Sequence, residues 1–426
     1  MKNPIVSMRS DADKCMGIIF FTVDFPDFSV SHSFIKIVID SEELIFPLDK
    51  EKATFGIHLH LLNKGEHTIA FLLMKNDGAE VVLSENLIKL PEGNKLHNQI
   101  RESMIANKTP LIFEGLCDSS FYPYANKKIT PWFDKPNAEA YINNLFLSKK
   151  INDNEAKRLE EFVKNGFVIL ENLIDNDLIN LVNIDINDCV NKGYQGYKYG
   201  SSQRLEHLHL HYPNVKKLWL DKRHRRIVDL IFGFPSVPCQ TLTYIFGSQQ
   251  DVHQDLIHLT PFPAGYMCGT WIALQDISEN SGELIVYPGS HRAKRLYMRD
   301  TGADKVVNDY SQFADKVLPI WHSLSERLTP FIYRPKKGTV LIWHENLLHG
   351  GSLRLDQNLE RRSFVIHSFA EGSVAFYDTS GLPAIVASQT DLNETDANSI
   401  TNKANSFLNK CKMNIKNLTN FTKKKK

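Results

Sequence analysis

The stretch QQDVHQDLIHLTPFPAGYMCGTWIALQDISENSGELIVYPGSHR, residues 249–292, decides how this chain is read. It sets His253-Gln254-Asp255 in an apolar, β-branched run, and His349 and Arg361 follow far downstream. Two imidazoles and one carboxylate make the facial triad that holds non-haem Fe(II) and leaves three coordination positions open. A His and an Asp two apart on a strand share a face, so one short segment can supply two of the three ligands. The third must come from elsewhere, and His349 in GTVLIWHENLLHGGS, residues 338–352, is the candidate. Arg361 opens a later strand-like run, where a guanidinium can anchor the far carboxylate of a dicarboxylate co-substrate.

Around these residues the pattern is mainly β. Gln240-Phe246, Met267-Leu274, Glu283-Tyr287, Thr339-His344 and Arg361-Phe369 read as strands, separated by turns at Ser281-Gly282, Pro288-Gly289 and Lys337-Gly338. Helical spacing precedes them at Ala138-Leu147, Asp153-Lys164 and Asp175-Cys189, with a short strand at Phe167-Leu170. Strands with inward-facing ligands and helices in support predict a mainly β fold with flanking helices: a double-stranded β-helix, or jelly-roll, of cupin-like type. Between His291 and Phe331 lies an insertion with helical character near Asp309-Val317, long enough to be lid-like.

Upstream, residues 17–90 read as consecutive short strands broken at Lys64-Gly65 and Asp77-Gly78, which predicts a small β-sandwich domain over 1–90. Residues 91–140 lose periodicity. Prolines interrupt Phe121, Tyr122, Tyr124, Trp132 and Phe133, so this is read as an aromatic linker that packs on a domain. The catalytic jelly-roll is expected over 141–385 and a basic tail over 386–426, where eight lysines and no acids follow from Lys403 onward. That tail is read as a solvated terminus.

Beyond the spacing, residues 249–292, 338–352 and RRSFVIHSF at 361–369 closely resemble the phytanoyl-CoA dioxygenase family of Fe(II)- and 2-oxoglutarate-dependent oxygenases. The resemblance covers roughly residues 155–380 and not the N-terminal strands. It implies that His253, Asp255 and His349 ligate iron, that Arg361 with Ser363 in an Arg-x-Ser pattern binds 2-oxoglutarate, and that Trp271 and Gln240 flank the co-substrate. Fe(II), 2-oxoglutarate and O2 are the implied cofactors. The implied reaction is hydroxylation of an unactivated C–H bond of a small organic molecule, with release of succinate and CO2. Related halogenases lack the carboxylate ligand, and Asp255 is present here. His349-Gly350-Gly351-Ser352 departs from the family's His-Gly-Ser, which leaves Arg362 as an alternative to Arg361.

Other histidines compete for attention. Strict alternation puts His258 on the face opposite His253, and His344-Glu345 with His349 is one residue too long for a zinc-protease helix. His58 and His60, and His207, His209 and His211, read as packing or hydrogen-bonded strand residues rather than ligands. Fifty basic and forty-nine acidic residues leave no overall electrostatic footprint for nucleic acid. The six cysteines are scattered without metal-ligand spacing, which points to a reducing, cytoplasmic setting. Met16-Val23 is too short for a signal peptide core closed by Asp24, and no run reaches the ~18 apolar residues of a membrane span. The sequons at Asn417 and Asn420 then carry little weight. Two other readings stay open: a non-catalytic binding protein on the same barrel, and a metal-dependent cupin-type isomerase. The insertion and residues 119–133 are expected to line the substrate side.

Overall fold

The N-terminal strands form two sheets that share one apolar layer. In the computed structural model, which describes residues 4–8, 14–25, 33–75 and 77–393, the strands are β1 (Ile5–Met8), β2 (Ile18–Asp24), β3 (Ser33–Ile39), β4 (Glu42–Leu48), β5 (Lys52–His58), β6 (Gly65–Met74), β7 (Glu80–Leu90) and β8 (Ile112–Glu114). They form two four-stranded sheets, β1-β2-β5-β8 and β4-β3-β6-β7. Phe21, Ile35, Ile37, Phe55, Ile57 and Phe71 belong to the shared core. Each such side chain contributes roughly 1.5–3 kcal/mol by leaving water. The Lys-rich tail from Lys403, with Cys411, Asn417 and Asn420, lies outside the described residues.

The stretch expected to be an aperiodic linker contains a helix, α1 (Lys95–Ala106), capped by the Asn94 side chain on the His97 N–H. Leu96, Ile100 and Met104 recur at helical spacing and are fully buried, a period overshadowed by the prolines that follow. Within the same stretch β8 joins the N-terminal sheet through pairing with β5. Tyr122 stacks on Phe262 at 4.9 Å and Tyr124 lies 4.5 Å from Tyr297. β2 is buried on both faces, because its far side meets the rest of the fold: Phe20 packs edge-on to Phe113, and Ala375 N donates to Met16 O. His60 donates from Nε2 to Gly372 O at 2.7 Å. Residues through Val386 thus form one compact unit.

The helices α2 (Ala138–Leu147), α3 (Asp153–Asn165) and α4 (Asn176–Asn191) fall where the sequence predicts them. α3 carries a capping box from Asn152 and Glu155, so the cap is one residue earlier than Asp153. Residues 207–232 are helical instead of β-like: a 3-10 turn at Leu208–Leu210, then α5 (Pro213–Trp219) and α6 (Lys222–Phe232). His209 is not on a strand; its Nδ1 meets Thr241 Oγ1 at 2.8 Å and its ring packs on Trp219.

The remaining strands are β9 (Phe167–Leu170), β10 (Leu205–Glu206), β11 (Ser236–Tyr244), β12 (Thr260–Phe262), β13 (Met267–Ala273), β14 (Leu284–Val286), β15 (Phe331–Tyr333), β16 (Val340–His344), β17 (His349–Gly351), β18 (Ser363–Ala370), β19 (Val374–Tyr377) and β20 (Leu382–Pro383). A six-stranded sheet, β10-β11-β18-β13-β16-β9, faces a three-stranded one, β15-β14-β17. Leu242, Trp271, Leu341 and Val365 from the first sheet share a core with Leu284, Val286 and Tyr333 from the second. The ladder does not run continuously from one sheet to the other, so the expected barrel is open. Its edge strands β9 and β10 are only four and two residues long. No helix among the described residues is long and apolar enough to cross a membrane.

Candidate metal centre and its cavity

His253 and Asp255 do not lie on a strand. His253 exchanges two backbone hydrogen bonds with His349, at 2.8 and 3.0 Å, an isolated antiparallel bridge that sets the two rings 4.3 Å apart. Asp255 begins a 3-10 turn, Asp255–Ile257, which curls its carboxylate back towards both rings. The strand expected to bear His253 and Asp255 gives way to this turn, in which Leu256 N donates to Glu345 O. Loop 248–252 approaches β17 so closely that a Cβ on Gly351 would lie 2.8 Å from Gln249 N. The second glycine after His349 therefore serves this contact.

Nε2 of His253 and of His349 stand 3.6 and 3.7 Å from Asp255 Oδ1. The three donors lie within 4.8 Å of one another, the single such cluster among the described residues. Ligands at right angles around an ion ~2.1 Å away stand about 3 Å apart, so the donors would have to draw in by roughly half an ångström or more to bind one. Nδ1 of His253 donates to Asp251 O at 2.7 Å and Nδ1 of His349 to Leu347 O at 3.0 Å. Both rings then present the Nε2 lone pair inward, the orientation a metal requires. Burial works against a charged carboxyl at Asp255, but the surrounding imidazoles outweigh it and hold the group well below its ordinary range. Burial pushes His349 down to about 4, whereas at His253 the Asp255 carboxylate outweighs burial and raises the ring.

Arg361 lies in the same cavity, of about 550 Å³. It is 2 % exposed, its Nη1 donates to Ser363 Oγ at 2.9 Å, and its Nε has no partner. Its guanidinium sits 5.6 Å from the Tyr244 ring and 5.7 Å from Trp271. Burial lowers its pKa to about 10, which still leaves it cationic at neutral pH. A buried cation with an open donor, flanked by two aromatic faces and a hydroxyl, fits the carboxylate of a small diacid. Trp271 therefore sits beside Arg361. Gln240 also lines the cavity, but its amide nitrogen lies 3.3 Å from His367 Nδ1.

Two expectations need correction. His258 is not turned away: it lines the cavity with its ring 6.3 Å from His253, because the 3-10 turn breaks strict alternation. Residues 119–133 do not line the cavity; Tyr122 and Tyr124 pack on Phe262 and Tyr297, and Trp132 and Phe133 on Tyr141, Phe162 and His344. The insertion does line it, through Tyr310, Phe313, Leu318 and Trp321 on and before α7 (Ser311–Lys316) and α8 (Leu318–Ser325). Two residues that sequence reasoning passed over also meet here. Trp343 donates from Nε1 to Asp255 Oδ2 at 2.7 Å, and His367 Nε2 stands 3.4 Å from the same oxygen. His367 was legible, since Ser363, Val365 and His367 alternate along β18; Trp343 reads as an ordinary core aromatic in Val340-Leu341-Ile342-Trp343.

The His253-Asp255-His349 cluster shares its cavity with the buried Arg361 and could hold a metal ion, and the chain can be compared with known proteins at this point. Residues 162–354 match the model of the phytanoyl-CoA dioxygenase (PhyH) family. That span includes His253, Asp255, Trp271 and His349 and ends before Arg361. The peroxisomal phytanoyl-CoA dioxygenase of Homo sapiens is 29 % identical over 138 residues, 32 % of this chain and 37 % of that protein. The probable phytanoyl-CoA dioxygenase of Caenorhabditis elegans is 27 % identical over 106 residues, 24 % of this chain and 31 % of that protein. The chain thus aligns with about a third of the length of these relatives. Among solved structures, the non-heme alpha ketoglutarate dependent carbocyclase SnoK from nogalamycin biosynthesis matches at 15 % identity with a TM-score of 0.44, covering 55 % of this chain and 89 % of that one.

Proposed function

We propose that this protein is a non-haem Fe(II)- and 2-oxoglutarate-dependent dioxygenase that hydroxylates an unactivated C–H bond of a small organic substrate. The observation that carries the reading is Arg361: a buried guanidinium with an unpartnered Nε, in one cavity with His253, Asp255 and His349. His253, Asp255 and His349 hold the metal through Nε2, Oδ1 and Nε2, leaving three positions for co-substrate and O2. Arg361 and Ser363 take the far carboxylate of 2-oxoglutarate, and Trp271 packs along its chain. Iron with 2-oxoglutarate and O2 supplies the oxidising power, the co-substrate leaving as succinate and CO2. Asp255 keeps the carboxylate position filled, which favours hydroxylation over halogenation.

Phe313, Leu318 and Trp321 give the substrate side an apolar wall that excludes water from the reacting position. Of the lysines and arginines, only Arg204 and Arg361 line the cavity among the described residues, and Arg204 is paired to Glu206 at 2.7 Å. That leaves no basic cluster inside it for the phosphates of an acyl-CoA, so the substrate we favour is a smaller molecule. We assign the facing sheets to the double-stranded β-helix fold, with 1–90 as an N-terminal β-sandwich, 91–140 as its connection, 141–385 as the catalytic domain and 386–426 as a basic tail. Cys117, Cys189, Cys239 and Cys268 are buried free thiols, which supports a reducing compartment such as the cytoplasm.

The test is succinate formation from 2-oxoglutarate by purified protein, without added substrate, at saturating Fe(II). Turnover that needs iron and disappears in His253→Ala and Asp255→Ala is expected. Iron binding without any 2-oxoglutarate consumption or binding would overturn the reading in favour of a binding protein or isomerase.

A further inference from the structure

Three neighbouring strands, β16, β13 and β18, align Trp343, Gly269 and His367 in one row: Gly269 pairs with Trp343 on one side and with His367 on the other. The middle position has no side chain, and the indole fills the vacancy. A Cβ on Gly269 would fall 2.6 Å from Trp343 Nε1 and closer still to its ring carbons, so only glycine lets the indole lie across the sheet. From that seat Trp343 reaches Asp255 Oδ2 at 2.7 Å, while His367 Nε2 approaches the same oxygen at 3.4 Å. The Gln240 amide, 3.3 Å from His367 Nδ1, donates there and leaves the ring proton on Nε2, facing Asp255. Trp343 is 2 % exposed and His367 3 %, so both contacts to Asp255 are made by buried side chains.

We infer that Trp343 and His367, seated by Gly269, are positioning residues that clamp Asp255 Oδ2 and so restrict the carboxylate to one metal bond through Oδ1. The inference rests on the iron-site reading above and adds to it. Its consequence follows from counting positions. A six-coordinate ion bound once by each of three protein ligands keeps three sites, two for a chelating 2-oxo acid and one for O2. A carboxylate free to chelate through both oxygens takes one of those three. Charge-assisted donors on Oδ2 remove that option, and no group of the ion's own is needed to enforce it.

The test uses metal binding rather than turnover. Fe(II) or Co(II) is titrated anaerobically into full-length wild-type protein and Trp343→Phe, which keeps an aromatic ring and loses the donor; the visible absorption of bound Co(II) is recorded for each. Expected are a metal affinity reduced about 10- to 100-fold and a displaced Co(II) band in the variant. Affinity within twofold of wild type together with superimposable Co(II) spectra overturns the clamp. If circular dichroism finds Trp343→Phe unfolded, His367→Leu against His367→Gln carries the same comparison, because glutamine retains an N–H donor and leucine does not. The leucine variant is expected to shift the spectrum and the glutamine variant to restore it, and identical behaviour of the two overturns the proposal. A wild-type protein that takes up neither ion sinks the underlying iron site instead.

Discussion

Arg361 and Arg362 are neighbours in sequence and point to opposite sides of the sheet. Arg361 turns inward to Ser363 and the cavity, whereas Arg362 lies outside against Glu360 and Asn187, at 2.6 and 2.7 Å. The period of two in an extended chain makes this unavoidable, and it bears on which arginine meets a diacid. Arg361→Ala is expected to weaken 2-oxoglutarate binding at least about 30-fold, since a desolvated carboxylate loses its partner, a loss of about 2–5 kcal/mol. Arg361→Lys recovers only part, lacking the planar fork. Arg362→Ala stays within twofold of wild type. Calorimetric titration of the metal-loaded protein checks all three, and a reversed order between positions 361 and 362 would assign the diacid to the other residue.

The paired backbone of His253 and His349 predicts that the metal stabilises the fold. Ligands from two distant segments converge, and binding favours only the state in which they meet. Thermal unfolding at a free Fe(II) or Co(II) concentration of about 100 times Kd is expected to show roughly 2.7 kcal/mol of added stability. Chelator treatment removes it, and Asp255→Ala or His349→Ala never acquires it. An unchanged melting curve on adding metal to wild type argues against a preformed site.

How much of this was readable beforehand depended on whether a signal was local. His253, Asp255, His349 and the Arg361–Ser363 face stood out because motif and alternation are short-range patterns. The turn that carries Asp255 was misread as a strand, since its cause is a hydrogen bond from Leu256 to Glu345, far away in the chain. The same non-local cause returned His258 to the cavity. α5 and α6 were hidden by the alternating His207-Leu208-His209-Leu210-His211, which imitates a strand. Trp343 could not be assigned from sequence, as its role depends on the absent side chain of Gly269 in the next strand.

Two buried histidines outside the site predict sensitivity to acid. His58 is fully buried, donating to Pro110 O at 2.7 Å, and burial lowers it from 6.5 to about 4. His224, donating to Leu218 O at 2.9 Å, is likewise lowered by burial to about 4. Both rings are neutral in the folded protein at pH values where the unfolded chain is protonated. Between pH 6.5 and 4 the unfolded state binds more protons, so this contribution is complete above 6.5, declines as pH falls and levels off below 4. Each ring accounts for on the order of 3 kcal/mol. Urea unfolding midpoints should therefore drop from pH 7 to pH 4.5, less steeply in His224→Gln, and a flat profile contradicts the assignment.

The insertion that walls the cavity is held by one buried carboxylate. Asp378, with a fully buried side chain, accepts from Lys305 Nζ at 2.6 Å and from Met298 N at 2.7 Å, while Lys305 also reaches Asp118 Oδ2 at 2.9 Å. One ammonium thus joins the insertion to the aromatic segment and to the residue that follows β19. Lys305→Met strands a charge in a dry site, which costs about 3–5 kcal/mol, whereas removing both partners is far milder. Urea unfolding of Lys305→Met, Asp378→Asn and the double variant forms a cycle whose coupling isolates the pair. The double variant is expected to be more stable than Lys305→Met alone, and limited proteolysis of the single variant should cut first within residues 293–330. Strict additivity, with no change in the first cleavage site, would show that the insertion is held by its apolar contacts through Phe313 and Trp321 instead.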